Sequence, residues 1–145
     1  QAPFHLSQKL IPGMKAIRWG RIINIASTQG LTASPFKSGY VAAKHGLIGL
    51  TRAMAVELGG YGITVNAICP AYVRTPLALG QIRDQARTLG IPEEDIVPKV
   101  MLAPAAIKRL IEPAEISELV SYLVSPEADA ISGSIWAMDG GWTSR

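Results

Sequence analysis

A tyrosine and a lysine stand four residues apart in the segment SGYVAAKHG, at positions 40 and 44. No proline follows until Pro70, and apolar residues recur at helical spacing up to about Leu58, which predicts a helix. Residues four apart on a helix lie one above the other, so Tyr40 and Lys44 would share one face. A free phenol loses its proton only near about pH 10, and an ammonium group within about 4–6 Å favours the phenolate. The pair is a candidate acid/base site, although exposed pairs without chemistry commonly share this spacing.

Two short apolar runs end in segments that carry hydroxyl groups. The run GRIINIAS (residues 20–27) is typical of a buried strand and ends at Ser27, thirteen residues before Tyr40. The run ITVNAIC (residues 63–69) predicts a second buried strand, and CPAYVRTP with Thr75 follows it. Open α/β sheets place ligands at the carboxyl ends of their parallel strands. We therefore expect Ser27, Tyr40 and Thr75 to meet at one rim of one sheet.

Helical and strand-like segments alternate along the rest of the chain. Residues 1–14 read as the tail of a helix that Pro12 and Gly13 close. Recurrent prolines in residues 70–112 predict short helices and a mobile flap. Residues 112–125 predict a further helix, and residues 133–142 a last strand that runs into a Gly-Gly turn. This alternation indicates an α/β fold with a parallel sheet. Three apolar strands would make a small sheet, so they resemble one half of a larger one.

Composition excludes several classes of protein. The chain has 145 residues, of which 48% are apolar and 17% charged, and this is typical of a globular domain rather than a disordered one. The net charge of +3 is scattered, which argues against a nucleic-acid or anionic-lipid surface. Apolar runs fall short of the roughly 20 residues that cross a bilayer, and no signal peptide is visible, so a cytoplasmic location is expected. The single cysteine, Cys69, is expected to be a buried small side chain, and no metal site is predicted.

Four segments in order resemble the short-chain dehydrogenase/reductase family. They are NIAS with Ser27, YVAAK with Tyr40 and Lys44 at the family's serine-to-tyrosine spacing, NAICPAYVRTP after the second strand, and GSIWAMDGG near the end. The resemblance covers nearly the whole chain. It implies a Rossmann-type, doubly wound parallel sheet and hydride transfer with NAD, with NADP as the alternative.

The same resemblance implies a role for each matching residue. Tyr40 would be the acid/base at the reacting oxygen, Lys44 would tune it and bind the nicotinamide ribose, and Ser27 would hold the substrate oxygen. Donors that are already in place would stabilise the developing alkoxide. The positions implied to line the nicotinamide are Pro70, Val73 and Thr75. The family usually has glycine after this proline, whereas this chain has Ala71, at a cost of about 1 kcal/mol if a positive φ is needed there.

A longer set of matching segments resembles the members of the family that interconvert (R)-3-hydroxybutyrate and acetoacetate with NAD. The substrate-pocket positions of those members correspond to Ser27, Gln29, Lys37, Tyr40, Gln81 and Trp142. Lys37 would supply a cation for the carboxylate, and Trp142 an apolar wall for the methyl group. Gln29 stands where those members usually have histidine, which leaves a longer or altered 3-hydroxy acid open. Taken singly, Lys37 and Gln81 are also typical of solvated surface, and Trp142 of a subunit interface.

One expected element is absent from the sequence. No glycine-rich turn of the kind that binds a dinucleotide pyrophosphate follows a strand, since GGYG follows a helix instead. Residues 1–145 are therefore interpreted as the C-terminal, catalytic and substrate-binding part of a single domain, inactive by itself. The resemblance suggests a homotetramer that acts on a small hydroxy or keto acid. The alternatives are a 3-oxoacyl-thioester reductase or another dehydrogenase of the same family, or a non-catalytic half-domain that needs a partner chain.

Overall fold

A computed structural model describes residues 2–144, which form α-helices packed against one parallel sheet. The sheet has the order β1-β2-β3, with β1 at Gly20–Ile25, β2 at Ile63–Pro70 and β3 at Ile135–Met138. The α-helices are α1 at Ala2–Ile17, α2 at Ser38–Leu58, α3 at Pro76–Leu89, the single turn α4 at Glu93–Asp95, and α5 at Pro113–Val124. The α/β fold with a parallel sheet that the sequence predicts is confirmed.

The central strand, β2, carries the core of the sheet. All of its residues are buried, because strands pair with it on both sides and helices cover its faces. β1 lies at an edge of the sheet and is only partly buried, so the prediction of a strand covered on both faces fails for this strand: Ile25 keeps 46% of its surface exposed. β3 lies within the segment 133–142, and the predicted Gly-Gly turn follows it at Gly140 and Gly141, which both have positive φ.

The prediction that Pro12 and Gly13 close the first helix is wrong. α1 continues through both residues to Ile17. A proline inside a helix removes one hydrogen bond and costs about 3 kcal/mol. Burial offsets that cost, because Ile11 and Met14 pack against the core cluster between α2 and β2.

The second helix packs against β2 and begins two residues before the predicted start. A buried polar contact joins it to β1, since the Asn24 side chain donates to Thr51 Oγ1 at 2.9 Å. The helix ends at Leu58, as predicted, and a turn with Gly62 at φ +72° leads into β2. A side chain at Gly62 would collide with the backbone oxygen of Arg18, so this turn requires glycine. In the described part of the chain, no helix combines the length and apolarity needed to cross a bilayer.

Residues 70–112, here called the excursion, leave the sheet after β2 and pack around a hydrophobic cluster of their own. Thr75 caps the start of α3 through its side-chain oxygen, Pro76 takes the first helical position, and Gly90 ends the helix at φ +66°. The predicted short helices are present in α4 and in a π-helical turn that follows it, but α3 is a full helix of 14 residues. A separate core cluster holds the excursion together and consists of Ile82, Ala86, Ile96, Met101 and Leu110.

The two ends of this excursion are tied to each other. A parallel bridge pairs Val73 with Ile111, and the Arg74 guanidinium lies 2.6 Å from a Glu112 carboxylate oxygen. Arg109 holds Glu115 through two hydrogen bonds of 2.6 and 2.8 Å, and Glu115 also accepts the backbone N–H of Glu112. These contacts fasten the start of α5 to the segment that follows β2.

Replacing Glu115 by glutamine tests this attachment. The hydrogen bonds from Arg109, with that from the Glu112 backbone, lower the pKa of Glu115 to about 2. A free glutamate has a pKa near about 4.3, so the ionised contact stabilises the fold above that pH and is lost as the pH falls toward 2. We expect the difference in melting temperature between wild type and Glu115→Gln to be largest near pH 7 and to shrink below pH 4. Thermal unfolding followed by circular dichroism at several pH values measures it.

Glu118→Gln provides the matched control, because Glu118 is an exposed residue of the same helix. Its melting temperature should stay close to that of the wild type across the same pH series. A Glu115→Gln difference that is independent of pH would contradict the ionised contact.

Candidate active site

A cavity of about 400 Å³ opens where β1 and β2 end. Among the residues predicted to line the substrate, six lie along its wall: Ser27, Gln29, Lys37, Tyr40, Gln81 and Trp142. Of the residues predicted to face a nicotinamide, Val73 and Thr75 line the same cavity. Pro70 ends β2 and is buried, and Lys44 lies one helical turn beyond Tyr40, so neither belongs to this wall. Eight of the ten predicted residues thus line one cavity at one edge of the sheet.

Ser27 is held by the turn that follows β1. The backbone there is still extended, with φ −174° and ψ 160°, and the side chain is buried to all but 8%. Its Oγ accepts the backbone N–H of Gln29 at 3.2 Å. Because a hydroxyl has one proton to donate and this oxygen already accepts, the proton of Ser27 remains available to an acceptor in the cavity.

A close contact sets the position of this turn against α2. Gly30 approaches the helix so closely that a side-chain carbon there would lie 2.9 Å from the backbone oxygen of Lys44. A glycine is therefore required by space rather than by a positive φ. The contact ties the serine turn to the same helical segment that carries Tyr40 and Lys44.

Tyr40 and Lys44 lie on one face of α2, near its start. The ammonium nitrogen of Lys44 lies 5.5 Å from the centroid of the Tyr40 ring and donates to the backbone oxygen of Ile25 at 3.0 Å. Tyr40 itself is half-exposed, at 49%, and faces the cavity. The geometry puts a cation beside a phenol whose ring borders the cavity.

The polar end of the cavity contains one cation. Lys37 precedes α2 and is the only charged side chain along the wall among residues 2–144. Within those residues its ammonium makes no ion pair or hydrogen bond. Gln29 is 93% buried, with no partner for its side-chain oxygen in the described part of the chain, and Gln81 joins it from α3. A small anion would find both a charge and amide groups at this end.

Two aromatic rings, those of Tyr72 and Trp142, also line the cavity. Tyr72 and Trp142 have ring centroids 6.1 Å apart and planes tilted by 35°. Sequence reasoning found Trp142 but missed Tyr72, although Tyr72 lies between two residues that were chosen in the same segment. The other lining residues that were missed are Thr28, Ala71, Leu77 and Ala78. Together the rings give the cavity an apolar side large enough for a short alkyl group.

Two nearby residues have their side chains engaged elsewhere. The Thr75 hydroxyl accepts the backbone N–H of Ala78 at 3.3 Å and so helps to begin α3. Cys69 is fully buried at the end of β2, and burial raises the pKa of its thiol. This agrees with the prediction of a buried small side chain, because a thiol with a raised pKa is a poor nucleophile at neutral pH. No cluster of three or more His, Cys, Asp or Glu side chains suited to a metal occurs among residues 2–144.

Comparison with known families and proteins gives consistent matches over nearly the whole chain. A family model described as "Enoyl-(Acyl carrier protein) reductase" matches residues 1–143. A D-beta-hydroxybutyrate dehydrogenase of Rhizobium meliloti (strain 1021) is 53% identical over 142 residues, which are 98% of this chain and 55% of that protein. A protein of the same name from Cupriavidus necator is 45% identical over 142 residues, with the same shares of each chain.

A solved structure shows the same arrangement of elements. An actinorhodin polyketide ketoreductase with NADPH superposes with a TM-score of 0.81 at 36% identity, over 92% of this chain and 51% of that one. The chain therefore spans about half the length of the curated relatives that it matches.

Proposed function

Because the chain belongs to the short-chain dehydrogenase/reductase family, we propose that it forms the catalytic and substrate-binding part of an oxidoreductase that interconverts (R)-3-hydroxybutyrate and acetoacetate with NAD. One observation carries the proposal: a single cavity is lined by a buried serine, a tyrosine beside a lysine, and one unpaired cation. The names of the two bacterial relatives supply the substrate. The family resemblance suggests that the protein is a homotetramer. A cytoplasmic location is proposed with it.

The residues at the end of β2 fit the nicotinamide end of a dinucleotide. Ala71, Val73 and Thr75 line the cavity just after β2, and their small side chains leave room for a flat ring. The side chains that would hold the cofactor are Tyr40, Lys44, Pro70, Val73 and Thr75. The cofactor supplies the acceptor for the hydride that leaves the substrate carbon. NAD is proposed from the resemblance, with NADP as the alternative because the related ketoreductase is described with NADPH.

Proton transfer falls to the tyrosine. In the oxidation, the Tyr40 oxygen takes the proton of the substrate hydroxyl as the carbon–oxygen double bond forms, and in the reduction it returns that proton. The Lys44 ammonium, 5.5 Å from the centroid of the Tyr40 ring, is the group that would bind the nicotinamide ribose. Ser27 donates its free proton to the same substrate oxygen and stabilises the charge that develops there.

The two ends of the cavity orient the substrate. Lys37 would pair with the carboxylate, and the amides of Gln29 and Gln81 would add hydrogen bonds to it. Tyr72 and Trp142 would contact the terminal methyl group. A carboxylate and a methyl held at opposite ends leave the hydroxyl-bearing carbon facing Ser27 and Tyr40, and this selects one enantiomer.

An absorbance assay for NADH with the longest native form of the chain tests the proposal. We expect (R)-3-hydroxybutyrate to be oxidised, and the (S) enantiomer and unrelated secondary alcohols to be oxidised at least about 100-fold less efficiently, the discrimination expected when a site's polar groups lose their partners. The reverse reaction with acetoacetate should consume NADH. Equal rates with unrelated secondary alcohols would contradict the substrate assignment.

A further inference from the structure

We propose that Asp139 is a positioning residue, which holds Trp142 at the substrate cavity and thereby sets substrate affinity. The inference rests on the proposed function, because it concerns the same cavity. Asp139 directly follows β3 and is 93% buried, yet it is not part of the cavity wall. It therefore acts through another residue.

The Asp139 carboxylate accepts hydrogen bonds from the loop that carries Trp142. One oxygen accepts the Gly141 N–H at 2.9 Å, and the other accepts the Thr143 N–H at 2.9 Å and the Thr143 hydroxyl at 2.6 Å. The Trp142 N–H donates to the Asp139 backbone oxygen at 3.2 Å. Burial alone would raise the pKa of Asp139, but these hydrogen bonds outweigh it and lower the pKa, so the carboxylate is ionised at neutral pH. Both neighbours of Trp142 are thus bound to one buried anion.

The same loop is pinned from its other side. The Gly140 backbone oxygen accepts the N–H groups of Ala106 and Ile107 at 2.7 and 2.9 Å. Gly140 has φ +63°, and a side-chain carbon there would lie 2.9 Å from the Ile107 backbone oxygen. The loop is therefore held by two sets of hydrogen bonds, those to the Asp139 carboxylate and those from the N–H groups of Ala106 and Ile107. From this loop the Trp142 ring packs near that of Tyr72.

Loss of the Asp139 carboxylate should therefore affect substrate binding in a specific way. The loop would relax, and the Trp142 ring would shift away from the apolar wall. Ser27 and Tyr40 would stay in place, since they lie in the turn after β1 and on α2. Substrate binding would weaken and proton transfer would not. A merely structural role would instead lower the stability of the whole protein and reduce kcat and affinity together.

Steady-state kinetics of Asp139→Asn in the full-length enzyme test the inference. An amide replaces one acceptor oxygen with a donor, which then faces another donor. We expect KM for (R)-3-hydroxybutyrate to rise about 10-fold, with kcat changed less than about 3-fold and KM for NAD unchanged, because a small displacement of a positioning group is costly for binding. Thr143→Val should show a smaller rise in KM, and Thr143→Ser, which keeps the hydroxyl, should restore it.

A double-mutant comparison separates coupling from general damage. If Asp139 acts through Trp142, then Asp139→Asn should add no further rise in KM once Trp142 is replaced by alanine. Additive effects of the two substitutions would overturn the inference. Asp84→Asn is the matched control, because Asp84 is exposed on α3 in an ion pair with Arg87, and it should leave KM unchanged.

A spectroscopic readout decides the point even if the proposed substrate is wrong. In protein labelled with 5-fluorotryptophan, the ¹⁹F resonance of Trp142 is assigned by its loss in Trp142→Phe. We expect Asp139→Asn to shift or broaden that resonance and to leave the Trp19 resonance, at the opposite end of the sheet, unchanged. An unchanged Trp142 resonance would overturn the inference, whereas failure of the wild type to oxidise (R)-3-hydroxybutyrate would overturn only the proposed function.

Discussion

Replacing Tyr40 by phenylalanine is expected to lower kcat for (R)-3-hydroxybutyrate oxidation by about 10²- to 10⁴-fold, the contribution typical of a positioned acid/base. The substitution removes one oxygen and keeps the ring, so the substrate hydroxyl loses its proton acceptor. The Lys44 ammonium would remain at the end of β1, where the Ile25 backbone oxygen holds it. The effect should therefore fall on turnover, and KM for the substrate should change little. Initial rates of NADH formation across a range of substrate concentrations separate the two parameters.

Tyr122→Phe is the control for this substitution. Tyr122 is 43% exposed on α5, similar to the 49% of Tyr40, but lies on a helix that does not contribute to the cavity. Its replacement should leave kcat at the wild-type value. Both variants should melt close to the wild type, because neither tyrosine hydroxyl donates to a described residue. A Tyr40→Phe enzyme with full turnover would show that proton transfer does not pass through the phenol.

The parts of the fold that the sequence predicts well are those with strong periodicity. β2 reads as an unbroken apolar run because helices and strands cover it on all sides, and its bounds agree within one residue. α2 is predicted to its last residue because GGYG follows it, and Gly62 in that stretch takes φ +72°. In both places local composition and tertiary packing favour the same structure.

The end of α1 shows where this agreement fails. Gly13, the residue expected to end the helix, lies in open space inside it. The actual stop is at Arg18, which adopts φ +52°, while the Trp19 N–H closes the last turn by donating to the Met14 backbone oxygen. Glycine usually takes that left-handed position, so an arginine there gives no local signal. A contact with the turn before β2 decides the stop, since Gly62 lies against the Arg18 backbone.

The site was predictable to the extent that its residues follow strand ends. Ser27 and Thr75 each come after a strand, and parallel strands bring those ends together. Tyr72 was missed because an aromatic residue in a loop has no periodicity to mark it. Asp139 was missed because its importance lies in the three donors that converge on it from residues further along the chain. Such convergence depends on two glycines with positive φ, which a pattern of residue types alone does not reveal.

Replacing Lys37 by alanine is the substitution that best separates the proposed function from its main alternative. A hydrogen bond to a charged group contributes about 1.5–3 kcal/mol, so removing the cation should raise KM for (R)-3-hydroxybutyrate by about 10- to 100-fold. Lys37 takes no part in the proposed proton transfer, and kcat should therefore fall much less than KM rises. Lys37→Arg keeps the charge and should retain most of the affinity.

A reductase that acts on 3-oxoacyl thioesters is the alternative that this variant tests. The similar structure named a polyketide ketoreductase is the comparison that raises this alternative. A thioester carries no carboxylate beside the reacting carbonyl, so Lys37→Ala should leave its reduction unchanged. We expect the variant to lose acetoacetate reduction and not to alter any activity with a 3-oxoacyl thioester. Lys99→Ala is the control, because Lys99 is exposed and pairs with Asp95 on the outside of the excursion. Equal KM for 3-hydroxybutyrate in wild type, Lys37→Ala and Lys99→Ala would contradict the carboxylate contact. A cation that binds the substrate cannot be removed without a loss of affinity.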